Sequence, residues 1–166
     1  HAGGDVTGGV GALVLARIEG EAGALTADPA YAGLATGQNK ATGTLRILGE
    51  VQTDVGRTGT WLAFQQSGVV PDDITVAKGL AGGVPIGALV TFGPAVSGLL
   101  TAGQHGSTFG GNPLAAAAGL AVLDPIEKDG LLGPATSVGN HLADRVSAPG
   151  HPRSAGGGGE GPLRAM

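Results

Sequence analysis

Apolar residues in this chain come in short runs separated by glycine and polar clusters, a pattern that predicts strands in the first hundred residues and helices after them. Four runs read as strands: 10–15 (VGALVL), 44–48 (TLRIL), 73–77 (DITVA) and 86–92 (IGALVTF). Between them, 18–30 reads as loop, with Pro29 able to open a short helix through Ala35. Residues 36–43 read as a turn, 53–60 as a glycine-rich loop and 61–66 as a helical turn. The clearest helix is 112–128, where Asn112 can cap the first turn, Pro113 suits its first position and Gly130 lies just beyond its end. A second helix is expected over 135–147. From 149 to 161 the composition collapses to Gly and Pro, and no defined structure is expected there. Strands alternating with helices and loops predict an α/β layer fold.

Composition sharpens this picture. Of 166 residues, 34 are glycine and only five are aromatic, so the core must be built from Ala, Val, Leu and Ile. With 42% hydrophobic and 13% charged residues, most of the chain has the means to bury a core. The net charge is −4 and the nine Lys and Arg are scattered, which excludes a nucleic-acid stripe or a polybasic membrane anchor. There is no cysteine, and the four His lack ligand spacing, so neither a disulfide nor a metal site is expected. No apolar run approaches the ~18 residues of a membrane span.

Three stretches carry candidate chemistry. In Thr75-Val76-Ala77-Lys78-Gly79-Leu80-Ala81-Gly82-Gly83 a lysine leaves an apolar strand and meets a glycine-rich turn. An amine desolvated at such a place is biased towards its neutral, nucleophilic form, and the glycines let backbone approach a flat ligand. In His105-Gly106-Ser107-Thr108-Phe109-Gly110-Gly111-Asn112-Pro113 two hydroxyls and several amides precede a helix N-terminus, a loop suited to an anion, although the P-loop pattern is absent. In 50–59 (EVQTDVGRTG), Val51 and Gln52 follow a strand end and could offer an apolar face and an amide to a bound ring. Taken singly, the first two read more readily as a surface lysine at a strand end and a simple capped loop, and the third can be read as a solvated loop.

Together, in this order and spacing, 50–59, 68–88 (GVVPDDITVAKGLAGGVPIGA) and 105–118 (HGSTFGGNPLAAAA) resemble the class III aminotransferases of the fold-type I pyridoxal-phosphate (PLP) group, most nearly the acetylornithine type and less nearly the ornithine type. The Gly20-Glu21-Ala22-Gly23 element and 121–132 fit as well, so the resemblance spans about residues 15–147. It implies that 1–148 is a segment of the PLP-binding large domain, a mostly parallel sheet flanked by helices, and that 149–166 is a tail opening a C-terminal domain otherwise absent. It implies that Lys78 holds PLP and is catalytic, that Gln52 contacts the phenolic oxygen, and that Val51 packs on the ring. It further implies that Ser107 and Thr108 reach the PLP phosphate of a partner subunit, and that Glu21 gates the amino-acid pocket.

The implied activity is transamination between N-acetylornithine and 2-oxoglutarate, in arginine biosynthesis, by a cytoplasmic homodimer; ornithine or another omega-amino acid is the alternative donor. Departures from the pattern bear on it. Gly49 stands where the pattern has an Asp that pairs with the pyridine nitrogen, an interaction of roughly 1.5–3 kcal/mol, or about 10–100-fold in rate. Asp54 stands where the pattern has Gly and is expected to lie out in the loop, and Ala16-Arg17 replaces Glu-Pro, so Arg17 is not read as a substrate arginine. The upstream phosphate loop, the ring-stacking aromatic and the C-terminal domain's arginine have no counterpart, and the first residue is His1. The chain is therefore expected to be a fragment or degraded copy, which leaves a non-catalytic remnant, or a simple phosphate-binding module, as competing readings.

Overall fold

A computed structural model of the chain describes residues 9–28, 42–147 and 158–165. Its centre is a four-stranded sheet made of β1 (Ala12–Leu15), β4 (Leu45–Gly49), β5 (Asp73–Val76) and β6 (Ala88–Thr91), in the order β1-β4-β5-β6. The first three strands run parallel, with Gly49 opposite Thr75, and β6 returns antiparallel on β5. All four expected strands therefore form, each within two residues of its expected ends. The expected α/β layering holds. The helix expected from Pro29 to Ala35, and the turn at 36–41, lie outside the described residues.

The core gathers on β5. Ile74 and Val76 are buried with Phe64, and Leu48, Leu62, Leu80 and Phe92 pack around them. Phe64 and Phe92 meet edge to face with centroids 5.5 Å apart, a favourable arrangement of ring quadrupoles. β1 is not the buried strand that its apolar run suggested: it lies at the sheet edge, and Val14 is 65% exposed. Apolar content alone does not tell an edge strand from a central one.

Two helices follow a short one, α1 (Pro94–Ser97). α2 (Pro113–Lys128) begins as expected, with Asn112 Oδ1 accepting from the Ala115 N–H at 2.9 Å. Its small residues Ala115 and Gly119 let it come down onto the turn Lys78–Ala81, where a side chain added at Gly119 would touch the Leu80 carbonyl at 3.6 Å. α3 (Leu132–Ser147) starts three residues before its expected boundary, because Pro134 sits in the first turn, where no intrahelical N–H is needed.

Two segments depart from expectation. Within 18–30, read as loop, β2 (Ile18–Glu19) pairs with β3 (Leu25–Thr26). Within the Gly/Pro-rich tail, β7 (Gly158–Glu160) and β8 (Leu163–Ala165) form an antiparallel hairpin. Its tip, Gly161, has φ 53° and lies so close to the backbone of Arg57 and Thr58 that a Cβ there would come within 2.7 Å of the Arg57 carbonyl oxygen. The hairpin is fastened by Arg17, whose guanidinium donates from Nη1 to Glu160 Oε2 at 2.6 Å and from Nη2 to Glu160 Oε1 at 2.8 Å. The same Nη1 donates to the Ala63 carbonyl at 3.0 Å. This two-pronged geometry is the strong form of an Arg–carboxylate contact.

The contrast between β5 and β1 is directly measurable. Ile74→Ala should cost roughly 2–5 kcal/mol in denaturant unfolding, because it opens a cavity in the only cluster of buried large apolar side chains among the described residues. Val14→Ala, on the exposed edge, should stay within about 0.5 kcal/mol.

Candidate functional site

Parallel pairing of β4 and β5 brings their carboxyl ends to one side of the sheet, where ligands of α/β folds bind. Two segments meet there: the loop from Glu50, after β4, and the turn from Ala77, after β5. The ladder runs on past the strands, with the Glu50 N–H donating to the Thr75 carbonyl at 2.9 Å.

Glu50 organises its loop from inside. It is 1% exposed, and its carboxylate accepts from the Ala63 N–H at 2.9 Å and the Phe64 N–H at 2.7 Å, as well as from the Thr53 hydroxyl. The N–H groups of Thr53 and Asp54 both turn back to the Glu50 carbonyl, at 2.9 and 2.7 Å. One helical turn thus carries Val51, Gln52 and Asp54 around the strand end. As neighbouring positions on a strand should, Glu50 faces away from the direction an acid at 49 would take.

A cavity of about 410 Å³ opens between this turn and Lys78. Val51, Gln52, Asp54 and Lys78 line it, with Val122 of α2 and Leu163 of β8. Its volume falls in the range of small-molecule and cofactor sites. Three of the residues singled out in the sequence, Val51, Gln52 and Lys78, therefore line one cavity. Glu21 joins them indirectly, because Gln52 Nε2 donates to Glu21 Oε1. That approach depends on Gly20: a Cβ there would fall 1.7 Å from Gln52 Oε1.

Ser107 and Thr108 are not brought to this cavity. Both are exposed on the loop before α2, and the same loop leaves Phe109 81% exposed. Lys78 itself differs from expectation: it lines the cavity but is exposed, not desolvated. Among the described residues its amine has no ion-pair partner. Its backbone is unusual for a lysine, with φ 36° in the left-handed region that L side chains avoid.

Asp54 corrects the sequence reading outright. Expected out in the loop, it is 4% exposed, and its Oδ2 accepts from the Ala77 N–H at 2.9 Å. Burial pushes its carboxyl up to about 6. The Ala77 hydrogen bond opposes that rise and the charge of Glu50 adds to it. Sequence reasoning missed both Glu50 and Asp54, because polar residues in a Gly-rich loop read as solvated.

Comparison with known proteins places this geometry. The family model for class-III aminotransferases matches residues 5–154. The acetylornithine aminotransferase of Streptomyces coelicolor is 50% identical over 141 residues, which make up 84% of this chain and 35% of that protein. That of Bifidobacterium longum is 46% identical over 149 residues, or 87% and 35% of the two chains. Among solved structures, an acetylornithine aminotransferase from Elizabethkingia anophelis superposes with a TM-score of 0.81 at 32% identity, over 90% of this chain and 38% of that one. An ornithine aminotransferase from Toxoplasma gondii, described with partial occupancy of PLP at its active site, gives a TM-score of 0.80 at 32% identity, over 90% and 36%. The chain spans about a third of the length of the curated relatives it matches.

The raised Asp54 carboxyl fixes the sign of a pH effect. The folded chain holds this proton up to about pH 6, whereas an unfolded Asp releases it near 3.8. The resulting stabilisation is fully present below pH 3.8 and is lost as pH climbs through about 6. Asp54→Asn carries no titrating proton, so its melting temperature should gain on the parent chain's between pH 4 and 7.5; a constant difference across that range would contradict the assignment.

Proposed function

The chain belongs to the class-III aminotransferase family, and from that premise we propose that it forms the cofactor-lysine segment of an N-acetylornithine:2-oxoglutarate aminotransferase that uses pyridoxal phosphate and serves arginine biosynthesis. The observation that carries this reading is Lys78, held in a left-handed turn on the wall of a 410 Å³ cavity that it shares with Val51 and Gln52. The curated relatives at 50% and 46% identity are acetylornithine aminotransferases, which favours the acetylated donor; the solved acetylornithine and ornithine enzymes, both at 32%, do not separate the two.

The lining residues fit the cofactor. Lys78 offers an amine free of any ion pair among the described residues, Gln52 an amide held by Glu21, and Val51 an apolar face. When bound, pyridoxal phosphate supplies the electron sink that makes a proton on the substrate α-carbon removable. Lys78 Nζ would hold the cofactor until an amino donor takes its place, and the freed amine then serves as base and acid for that proton. Gln52, fixed by Glu21 Oε1, would orient the phenolic oxygen, and Glu21 at the outer end of this pair would meet the arriving amino acid. Ser107 and Thr108 stand exposed and away from the cavity of their own chain, which suits residues that complete a partner's phosphate site in a homodimer. A cytoplasmic setting goes with a biosynthetic role of this kind. The division of the chain into a large-domain segment, 1–148, and the opening of a further domain, 149–166, follows the same reading.

A second reading, a remnant that binds without turning over, is favoured by Gly49, which leaves the pyridine nitrogen without its acid. A Cβ added there would meet only the Leu15 carbonyl, at 3.6 Å, an ordinary van der Waals contact.

Two experiments test these readings. Pyridoxal phosphate followed by borohydride should label Lys78 covalently, as read by peptide mass mapping, and Lys78→Ala should abolish both this label and transamination of N-acetylornithine; labelling elsewhere would refute the assignment. Gly49→Asp should raise turnover by roughly 10–100-fold if the missing acid limits the rate, whereas two equally inactive chains would support the remnant.

A further inference from the structure

The Ala77–Lys78 peptide is held from both sides. The Ala77 carbonyl accepts from the Leu80 N–H at 2.8 Å, which closes the turn. The Ala77 N–H donates to Asp54 Oδ2 at 2.9 Å, which anchors the turn to the loop of the other strand. Non-glycine residues in the left-handed region cost about 1 kcal/mol or more and persist only where the surroundings impose them. Here two such residues flank the anchoring bond, Val55 at φ 54° beside Asp54 and Lys78 at φ 36° beside Ala77. The bond is also the one link from a buried side chain of the Glu50 loop to the lysine's turn among the described residues. Where the class III pattern carries glycine, this chain has buried a carboxylate directly behind the lysine's backbone.

We propose that Asp54 is a positioning residue for Lys78: its carboxylate clamps the Ala77–Lys78 turn in the left-handed conformation that presents the amine to the cavity, and clamps it more firmly when ionised. The proposal rests on the functional reading of Lys78 given above and adds to it a residue specific to this chain. A charged acceptor binds an N–H about twice as strongly as a neutral one. Burial sets the switching range, with the carboxyl raised to about 6. The charged groups around Asp54 are Glu50, on its own turn and opposing ionisation, Arg57, favouring it, and Lys78 across the cavity; α2 and β8 present only Val122, Ile126 and Leu163 there. Ionisation therefore has opposite effects on two quantities: it lowers global stability, because a charge is buried, and it tightens one local bond.

The test uses the 166-residue chain, Asp54→Asn, which keeps an acceptor without titrating, and Asp54→Ala, which keeps none. In two-dimensional amide spectra the Ala77 N–H of the parent chain should shift with a midpoint near pH 6. It should be flat with pH in the Asn variant, and in the Ala variant it should exchange with solvent roughly tenfold faster or more. Covalent capture of pyridoxal phosphate on Lys78 should follow the same course: the rate ratio of parent to Asn variant should grow roughly fivefold from pH 5 to 7.5. An Ala77 amide that does not titrate, or a ratio independent of pH, overturns the clamp. Failure of Lys78 to capture the cofactor at any pH in the parent chain overturns the functional reading instead, and the Ala77 amide still decides the clamp.

Discussion

The carboxylate of Glu50 is buried at the end of β4, 1% exposed, and the protein supplies its hydrogen bonds. It takes them from the N–H groups of Ala63 and Phe64 and from Thr53. A buried carboxylate left short of partners costs several kcal/mol, and satisfying this one fixes the path of residues 50–64. The turn that places Val51, Gln52 and Asp54 on the cavity, and the short 3-10 helix that delivers Phe64 to the core, are both consequences of that requirement. Site and core are thus tied through one side chain that does not itself line the cavity.

The second half of the cavity is built by small residues. Ala115 and Gly119 on α2 allow a helix to lie directly on the turn that bears Lys78, where larger side chains would hold it off. The abundance of glycine, which from composition reads as a weakness, has in this place a packing role. Nearby, Lys78 is exposed, and the loop before α2 offers Phe109 to solvent.

Much of this was legible in the sequence, for identifiable reasons. The strand runs 44–48 and 73–77 are apolar and bounded by clear breakers, and Asn112-Pro113 is a strong helix start, so the elements that position Lys78, Val51 and Gln52 could be placed in advance. Asp54 could not. Its inward turn follows from the Glu50 hydrogen bonds and from the positive φ of Val55, neither of which leaves a mark in periodicity. The two-residue strands β2 and β3 are too short for any alternation to show. The hairpin at 158–165 hides in a composition that normally signals lack of structure. The exposure of Lys78 depends on what covers a strand end, which the local sequence does not record.

Arg17 and Glu160 are 143 residues apart in sequence, and their contact also fastens the Ala63 carbonyl beside the Glu50 anchor. A loop of that length closes slowly, because its entropic cost precedes the reward. During synthesis Val51, Gln52 and Lys78 leave the ribosome well before Glu160 and Leu163, so that side of the cavity emerges before the tie from Arg17 and the β8 wall can form. The order of events in translation thereby sets an interval in which the lysine is present while the contact between Arg17 and Glu160 is still unmade.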